Sequence, residues 1–353
     1  MKIFDLMTEG KHEQIVFWSE PELGYRGIIA IHDTTLGPAL GGTRFWNYAS
    51  GDEALLDALR LSKGMTQKAA VTGLDLGGGK SVIWGDNRTE DREMVLRAHG
   101  RAVESLGGRY ITAVDVGTSS EDMEYMRMET EHVVGLPTAS GDPSPVTAFG
   151  VFQGIRAAIA FKFGGDDLEG RHVAVQGLGN VGYSLCRFLA EAGARLTVAD
   201  IVPERVAEAG REFGAGSEAP ERIHAVEADV FAPCALGGVL NDDTISELQV
   251  SVVAGAANNQ LQRSAKHATV LREAGILYAP DYVANAGGLI HVYGELRHWG
   301  DAQVRRKVSE IRMTLLGIFE VAAREGISPN AAANRVVEER IRRTRHLERT
   351  FLA

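Results

Sequence analysis

Cysteine is nearly absent from the 353 residues: Cys186 and Cys234 are the only two, and neither belongs to a CxxC pair. This excludes a disulfide framework and zinc-ligand spacing, and it suits a reducing, cytoplasmic compartment. Positive charge is also short. The chain has 37 Lys and Arg against 47 Asp and Glu, a formal net charge of −10. Phosphate backbones and anionic lipids repel such a surface, so neither nucleic acid nor membrane is an expected partner. No run approaches the roughly 18 consecutive apolar residues of a spanning helix. Residues Met1–Gln14 carry charges throughout and lack the apolar core of a secretion signal. The histidines, among them His12, His32, His99, His132 and His291, form no HExxH or other metal pair, so no metal is expected.

Glycine is plentiful, with 41 residues, and the bulk is that of an ordinary globular protein at 44% apolar and 24% charged. The length exceeds what one compact domain usually holds, so two domains are expected. Gln14–Trp18 and Arg26–His32 read as a β-hairpin around Pro21 and Gly24. A glycine-rich loop, Gly37 to Thr43, precedes a helix that opens at Asp52 and closes at Gly64. Thr66–Val71, the loop Gly73–Gly79 and Ser81–Trp84 read as strand, loop and strand. Helices are predicted at Arg92–Ser105 and Glu121–Glu131, with Tyr110–Thr112 between them as a strand. The proline-rich stretch Leu136–Pro145 reads as a linker. Thr147–Phe163 follows as a helix with Ala148, Val151, Ile155, Ala158 and Ile159 on one side.

Beyond Gly170 short strands and helices alternate. Strands are predicted at Val173–Gln176, Leu196–Ala199, His224–Val226, Val250–Ala254 and Leu277–Ala279. Helices fall at Val181–Ala192, Arg205–Phe213 and Ser264–Ala274. This alternation predicts a doubly wound parallel sheet. From Val304 the chain is helical and ends in a charged run, Glu338–Arg349. Glu338, Glu339 and Glu348 temper the arginines there, which favours a solvated face or a subunit contact over nucleic acid.

Gly177-Leu178-Gly179-Asn180-Val181-Gly182 matches GxGxxG between an apolar strand and an apolar helix, and Asp200 closes the next strand. In a dinucleotide site the first glycine makes the tight turn, the second admits the pyrophosphate, and the third lets helix and strand pack. The helix N-terminus supplies N–H donors. Asp200 would accept from a ribose 2′-hydroxyl and repel a 2′-phosphate, favouring NAD over NADP. The alternative is a glycine-rich turn with no ligand.

Lys68, Lys80 and Asp115 are the other residues that invite chemistry. Gly79-Lys80-Ser81 imitates the end of a P-loop, but position 74 is Leu and Val82-Ile83-Trp84 continues as a strand, so ATP binding is rejected. Two readings of the lysines stand. They are solvated surface residues, or Lys80, open to a ligand beside Gly77-Gly78-Gly79, is a general base whose pKa a second cation such as Lys68 depresses.

The blocks Thr35–Arg44, Lys63–Lys68, Leu76–Lys80, Asp115–Thr118, Gly141–Thr147, Ala254–Gln260 and Ala279–Gly288 resemble the glutamate/leucine/phenylalanine/valine dehydrogenase family, its leucine dehydrogenase branch most closely. The resemblance covers nearly the whole chain. It implies an α/β protein with an N-terminal α/β substrate and oligomerisation domain, a Rossmann-type doubly wound nucleotide-binding domain, and a cleft between. The boundaries it suggests are 1–140 completed by C-terminal helices 328–353, and 141–327. It implies NAD as cofactor, with Tyr183, Thr147, Ala256 and Asn258 joining the glycine loop and Asp200. It also implies a homo-oligomer, an octamer or a dimer.

By the same resemblance Lys68 binds the substrate carboxylate, Lys80 activates water, Asp115 relays protons, and Asn258 lies near the substrate amine. The side-chain pocket would be lined by Leu40, Gly41, Met65, Ala113, Val134, Leu289 and Val292. That lining has no charge, so a glutamate side chain would be left unpaired there. Ala113 and Leu76 favour a branched-chain amino acid: leucine, valine or isoleucine. Leu289–Tyr293 resembles relatives acting on tryptophan, which keeps phenylalanine and tryptophan as the alternative. A non-catalytic NAD-binding redox sensor would keep the glycine loop but has no need of Lys68, Lys80 and Asp115 together.

Overall fold

The computed structural model describes residues 2–137 and 141–345, which form two compact units. One runs from the N-terminus to Gly141 and takes in Glu295–His298 and the chain from Val337. The other holds Asp142–Gly294 and Trp299–Val336. Residues 138–140 of the expected linker and 346–349 of the charged run lie outside the described residues.

The first unit is built on five strands, β1 (Gln14–Glu20), β2 (Tyr25–Asp33), β3 (Ala39–Trp46), β4 (Gly77–Trp84) and β5 (Tyr110–Val114), in the order β1-β2-β4-β3-β5. The β1–β2 hairpin is antiparallel, as expected; β4 is antiparallel to β2 and parallel to β3, and β3 is parallel to β5. Two glycine-rich segments expected as loops are strands. Gly37–Thr43 feeds into β3, and Gly77–Gly79 begins β4.

Close packing is the reason. A Cβ on Gly77 would sit 2.2 Å from the Asp33 carbonyl, one on Gly78 2.1 Å from the Thr66 amide, and one on Gly79 2.6 Å from the Tyr110 ring. The glycines therefore let a helix and neighbouring strands touch the backbone of β4. Their role here is packing, which the sequence pattern does not foresee.

The helix pressed against β4 is Gly51–Val71, longer than expected. Ser50 caps its first turn by accepting from the Glu53 amide at 3.2 Å. It runs through Gly64, whose missing side chain would meet open space, and Thr66–Val71 is its last turn and a half, not a strand. The glycine penalty of about 1 kcal/mol is outweighed by burial of Ala54, Leu55, Ala58, Leu59, Ala69 and Ala70. The C-terminal end is held by Arg340 of the helix Pro329–Arg345. Its guanidinium donates to the carbonyls of Ala69 and Ala70, at 3.2 and 2.8 Å, and to Asp75 at 3.2 Å.

The second unit carries six parallel strands: β6 (His172–Gln176), β7 (Arg195–Ala199), β8 (Gly216–Ser217), β9 (Val230–Pro233), β10 (Val252–Val253) and β11 (Leu277–Tyr278). Their order, β11-β10-β9-β6-β7-β8, is the expected doubly wound sheet. Its switch point lies between β6 and β9, where such sheets bind ligands at the carboxyl ends of the strands. Ile223–Ala225 is a 3-10 turn and not the expected strand; the strand is β9, four fully buried residues further on. The helix Ser144–Phe163 buries Ala148, Val151, Ile155, Ala158 and Ile159, the face the sequence predicts. Among the described residues it alone is long and apolar enough to cross a membrane, and 56% of that span is buried within the protein.

Packing at the glycine triplet gives the first testable outcome. Gly78→Val should lower unfolding stability by about 3 kcal/mol or more, because its branch would meet backbone atoms of Ser62 and Thr66. Urea denaturation measures it; an unchanged midpoint would contradict this account of the triplet.

Candidate active site

Lys80 lies within β4 and is only 4% exposed. Its Nζ stands 2.9 Å from Asp115 Oδ2. Burial pushes the ammonium below its usual range, opposed by Asp115 and assisted by Arg44. Burial alone would raise the Asp115 carboxyl; the charges of Lys80 and Arg44 outweigh it and hold it below the usual carboxylate range.

The turn after β5 aims Asp115. Gly117 takes a left-handed φ of 83°, and a side chain there would strike the Phe45 carbonyl at 2.0 Å. Thr118 Oγ1 receives the Asp115 amide at 3.0 Å and donates to the Thr43 carbonyl at 2.9 Å. Gly42 leaves room for the Asp115 Cβ, which would lie 2.8 Å from any Cβ at position 42.

The structure thus brings Lys80 and Asp115 together. The cation that meets the same carboxylate oxygen is Arg44, whose Nε donates to Asp115 Oδ2 at 2.8 Å. The sequence names Lys68 for a second cation; Arg44 is one that the geometry supplies. Lys68 is half-buried on the last turn of Gly51–Val71. Arg44 was overlooked in the sequence although it ends the Gly41-Gly42-Thr43-Arg44 block, because nothing in the pattern aligns it with Asp115.

Of the expected pocket residues, Leu40, Gly41, Met65, Ala113 and Val134 belong to the first unit and Leu289 and Val292 to the second. Gly41 pairs with Thr112 and Gly42 with Ala113 across β3 and β5, and the Val134 amide donates to the Thr112 carbonyl at 2.9 Å. Leu40, Ala113, Val134 and Leu289 are buried. Beside Val134, the Gly135 amide donates to the Glu295 carboxylate at 3.2 Å.

In the second unit the GxGxxG turn joins β6 to the helix Asn180–Glu191. Gly177 has φ 95°, and a Cβ on Gly182 would collide with the Gly177 carbonyl at 2.0 Å. At Gly179 a Cβ would meet nothing within 4 Å. That open position before a helix N-terminus, bounded by two glycines that must be glycine, fits a pyrophosphate. Asp200 accepts from the Leu178 amide at 2.6 Å and the Val202 amide at 2.8 Å, so the expected acid is tied to the loop itself. Tyr183 packs on Phe213 and donates to Glu212 at 2.5 Å.

Three features escaped sequence reasoning. Ile201, 87% exposed beside Asp200, offers an apolar surface next to the expected ribose site. Arg205 stands 3.9 Å from Asp200. Buried Asn285 donates to Asn258 Oδ1 at 2.8 Å and to the Ala256 carbonyl at 3.0 Å, which fixes the orientation of Asn258. Thr147, by contrast, donates to the Pro143 carbonyl at 3.0 Å in the first turn of its helix. Cys234 has its thiol pushed up to about 12 by burial, so it is no thiolate nucleophile. Among the described residues no group of three or more His, Cys, Asp or Glu could hold a metal ion.

Profiles of known families match both parts of the chain. Residues 12–132 match Glu/Leu/Phe/Val dehydrogenase, dimerisation domain, and residues 140–202 and 203–348 match Glutamate/Leucine/Phenylalanine/Valine dehydrogenase. The leucine dehydrogenase of Thermoactinomyces intermedius is 52% identical, over 100% of this chain and 97% of that protein. The L-tryptophan dehydrogenase of Nostoc punctiforme is 47% identical over 100% of both chains. A crystal structure of L-tryptophan dehydrogenase from that organism superposes with a TM-score of 0.89, covering 97% of this chain and 99% of its own. The chain belongs to the Glu/Leu/Phe/Val dehydrogenase family and is an amino-acid dehydrogenase, an oxidoreductase.

Behind Lys80 lies a buried polar cluster with a pH signature. His99 bonds Tyr25 at 2.7 Å and Ser81 at 2.9 Å, and Ser81 also meets Thr43 at 2.7 Å and Tyr110 at 3.1 Å. Burial lowers the His99 pKa to about 3. The unfolded chain binds its proton near pH 6.5, so stability falls as pH drops from about 6.5 towards 3. The slope from this residue is about 1.4 kcal/mol per pH unit. His99→Gln should flatten the slope by up to that amount in urea titrations at pH 4.5, 5.5 and 6.5 (about two units below, one unit below and at the free-histidine value). An unaltered slope rejects the assignment.

Proposed function

We propose that the protein catalyses reversible, NAD-dependent oxidative deamination of a branched-chain L-amino acid, leucine with valine and isoleucine, to its 2-oxo acid and ammonia. The observation that carries this reading is the buried Lys80–Asp115 pair, a lysine kept out of water against a carboxylate. Lys68 takes the substrate carboxylate. Asp115 accepts a proton from the substrate amine. Lys80, neutral, takes a proton from water as the water oxygen bonds to the imine carbon and the C=N electron pair moves to nitrogen. When that adduct collapses, Asp115 first returns its proton to the nitrogen; the ionised Asp115 then takes the adduct's hydroxyl proton as the carbonyl forms, the C–N bond breaks and ammonia leaves.

The dinucleotide would be held by Gly177, Leu178, Gly179, Asn180, Val181 and Gly182, with Asp200 on the ribose and Ile201 against the adenine. When bound, it supplies the hydride acceptor. Tyr183, Thr147, Ala256 and Asn258 complete the proposed cofactor contacts. The first unit serves as substrate and oligomerisation domain of a cytoplasmic homo-oligomer.

Apolar, buried Leu40, Ala113 and Val134 support an aliphatic side chain. Likeness to the leucine enzyme supports the branched-chain reading. The tryptophan relative carries the second reading, an aromatic amino acid.

Near-ultraviolet absorbance of NADH, followed with leucine, valine, isoleucine, phenylalanine, tryptophan and glutamate, tests this. The branched-chain trio should react fastest, and Lys80→Ala should slow it roughly 10²- to 10⁴-fold. Faster turnover of an aromatic substrate transfers the assignment to the second reading, and an active Lys80→Ala enzyme removes the mechanism. Asp200→Ser should raise NADP use relative to NAD about tenfold, a 1.4 kcal/mol change, because Arg205 is then free to meet a 2′-phosphate. A constant ratio removes Asp200 from cofactor selection.

A further inference from the structure

The ion pair does not end at Asp115. Arg44 bridges two carboxylates, donating from Nε to Asp115 Oδ2 at 2.8 Å and from Nη1 to Asp57 Oδ2 at 2.7 Å. Asp57, on the helix Gly51–Val71, is itself held by the Tyr48 hydroxyl at 2.6 Å and by Arg60 at 3.0 Å. The side chains of Arg44, Asp57 and Asp115 are 21%, 12% and 24% exposed, so solvent screens them weakly. Lys80 and Arg44 both contact Asp115 Oδ2, at 2.9 and 2.8 Å.

We infer that Arg44, braced by Asp57, is a positioning residue. It fixes the Asp115 carboxylate through Oδ2 and tunes the charge of the Lys80–Asp115 pair. This rests on the proposed roles of Lys80 and Asp115. Arg44 spans β3 and the helix that also carries Lys68, so one guanidinium couples the carboxylate relay to the element bearing the carboxylate clamp. The charged and titratable groups facing this chain are Lys80, Asp57, Tyr48 and Arg60.

The signs separate this role from a merely structural one. Arg44 disfavours the Lys80 ammonium and favours the Asp115 carboxylate, so its loss raises both proton affinities. Asp57 favours the Lys80 ammonium, so its loss lowers that affinity. In kcat/KM for oxidative deamination, Arg44→Met should move the acidic limb up by about one pH unit. Asp57→Asn should move it down by less. Arg44→Lys keeps the charge but not the fork, so its limb should stay near the wild-type position while kcat falls about tenfold or more.

All four forms are measured alongside Lys80→Ala, with circular dichroism and thermal melting to establish folding. Opposite limb shifts for Arg44→Met and Asp57→Asn support the proposal. Limbs that stay put, or that move the same way, in folded variants overturn it. Should Arg44→Met not fold, the decision passes to Arg44→Lys, where full kcat overturns the positioning role. An active Lys80→Ala enzyme instead sinks the underlying reading, so the two failures are distinguishable.

Discussion

A lysine ammonium with almost no access to water has to be matched by a carboxylate, and that requirement organises the first unit. Lys80 sits in the middle of a sheet, where an unpaired charge would be very costly. Asp115 meets it only because β5 ends where it does and because the turn at Gly117 and Thr118 points the carboxylate back over β3. The polar cluster of Thr43, Ser81, His99 and Tyr110 interlocks three strands beside that pair, with each hydroxyl or ring nitrogen bonded. The two charged groups are thereby held against each other with little room to relax.

The charged pair and the apolar lining carry different burdens. Proteins named for leucine and for tryptophan share about half of this sequence along its whole length. Apolar cavities discriminate by only 1–3 kcal/mol per methylene, so small changes of shape redirect selectivity while the buried charges stay. This explains why family membership follows plainly from the chain and the choice of side chain does not.

Much of the architecture was legible because periodicity reports burial. The β1–β2 hairpin, the buried face of Ser144–Phe163 and the β6–glycine–helix–β7 sequence all follow from spacing. Failures cluster where glycine serves packing rather than turning. Gly37–Thr43 and Gly77–Gly79 read as loops, yet each lies in or leads into regular structure whose neighbours press on the backbone; Gly64, read as a helix end, lies within a helix and faces open space. Four-residue β9 was hidden because a run that short has no period to detect. Lys80 and Asp115 could be singled out as residue types, but Arg44 and Asp57 could not. Their partnership depends on a strand and a helix meeting in space, which no local pattern encodes.

The grip of Arg340 on the carbonyls of Ala69 and Ala70 has a bearing on biogenesis. It closes the helix on which Lys68 and Asp57 ride, using a side chain separated from it by the entire second unit. During synthesis the N-terminal sheet emerges long before this clasp, and such a distant contact is entropically slow to form. Final tightening of the N-terminal sheet therefore waits for translation to reach the closing helix, so a polypeptide interrupted earlier carries Lys80 and Asp115 without this latch.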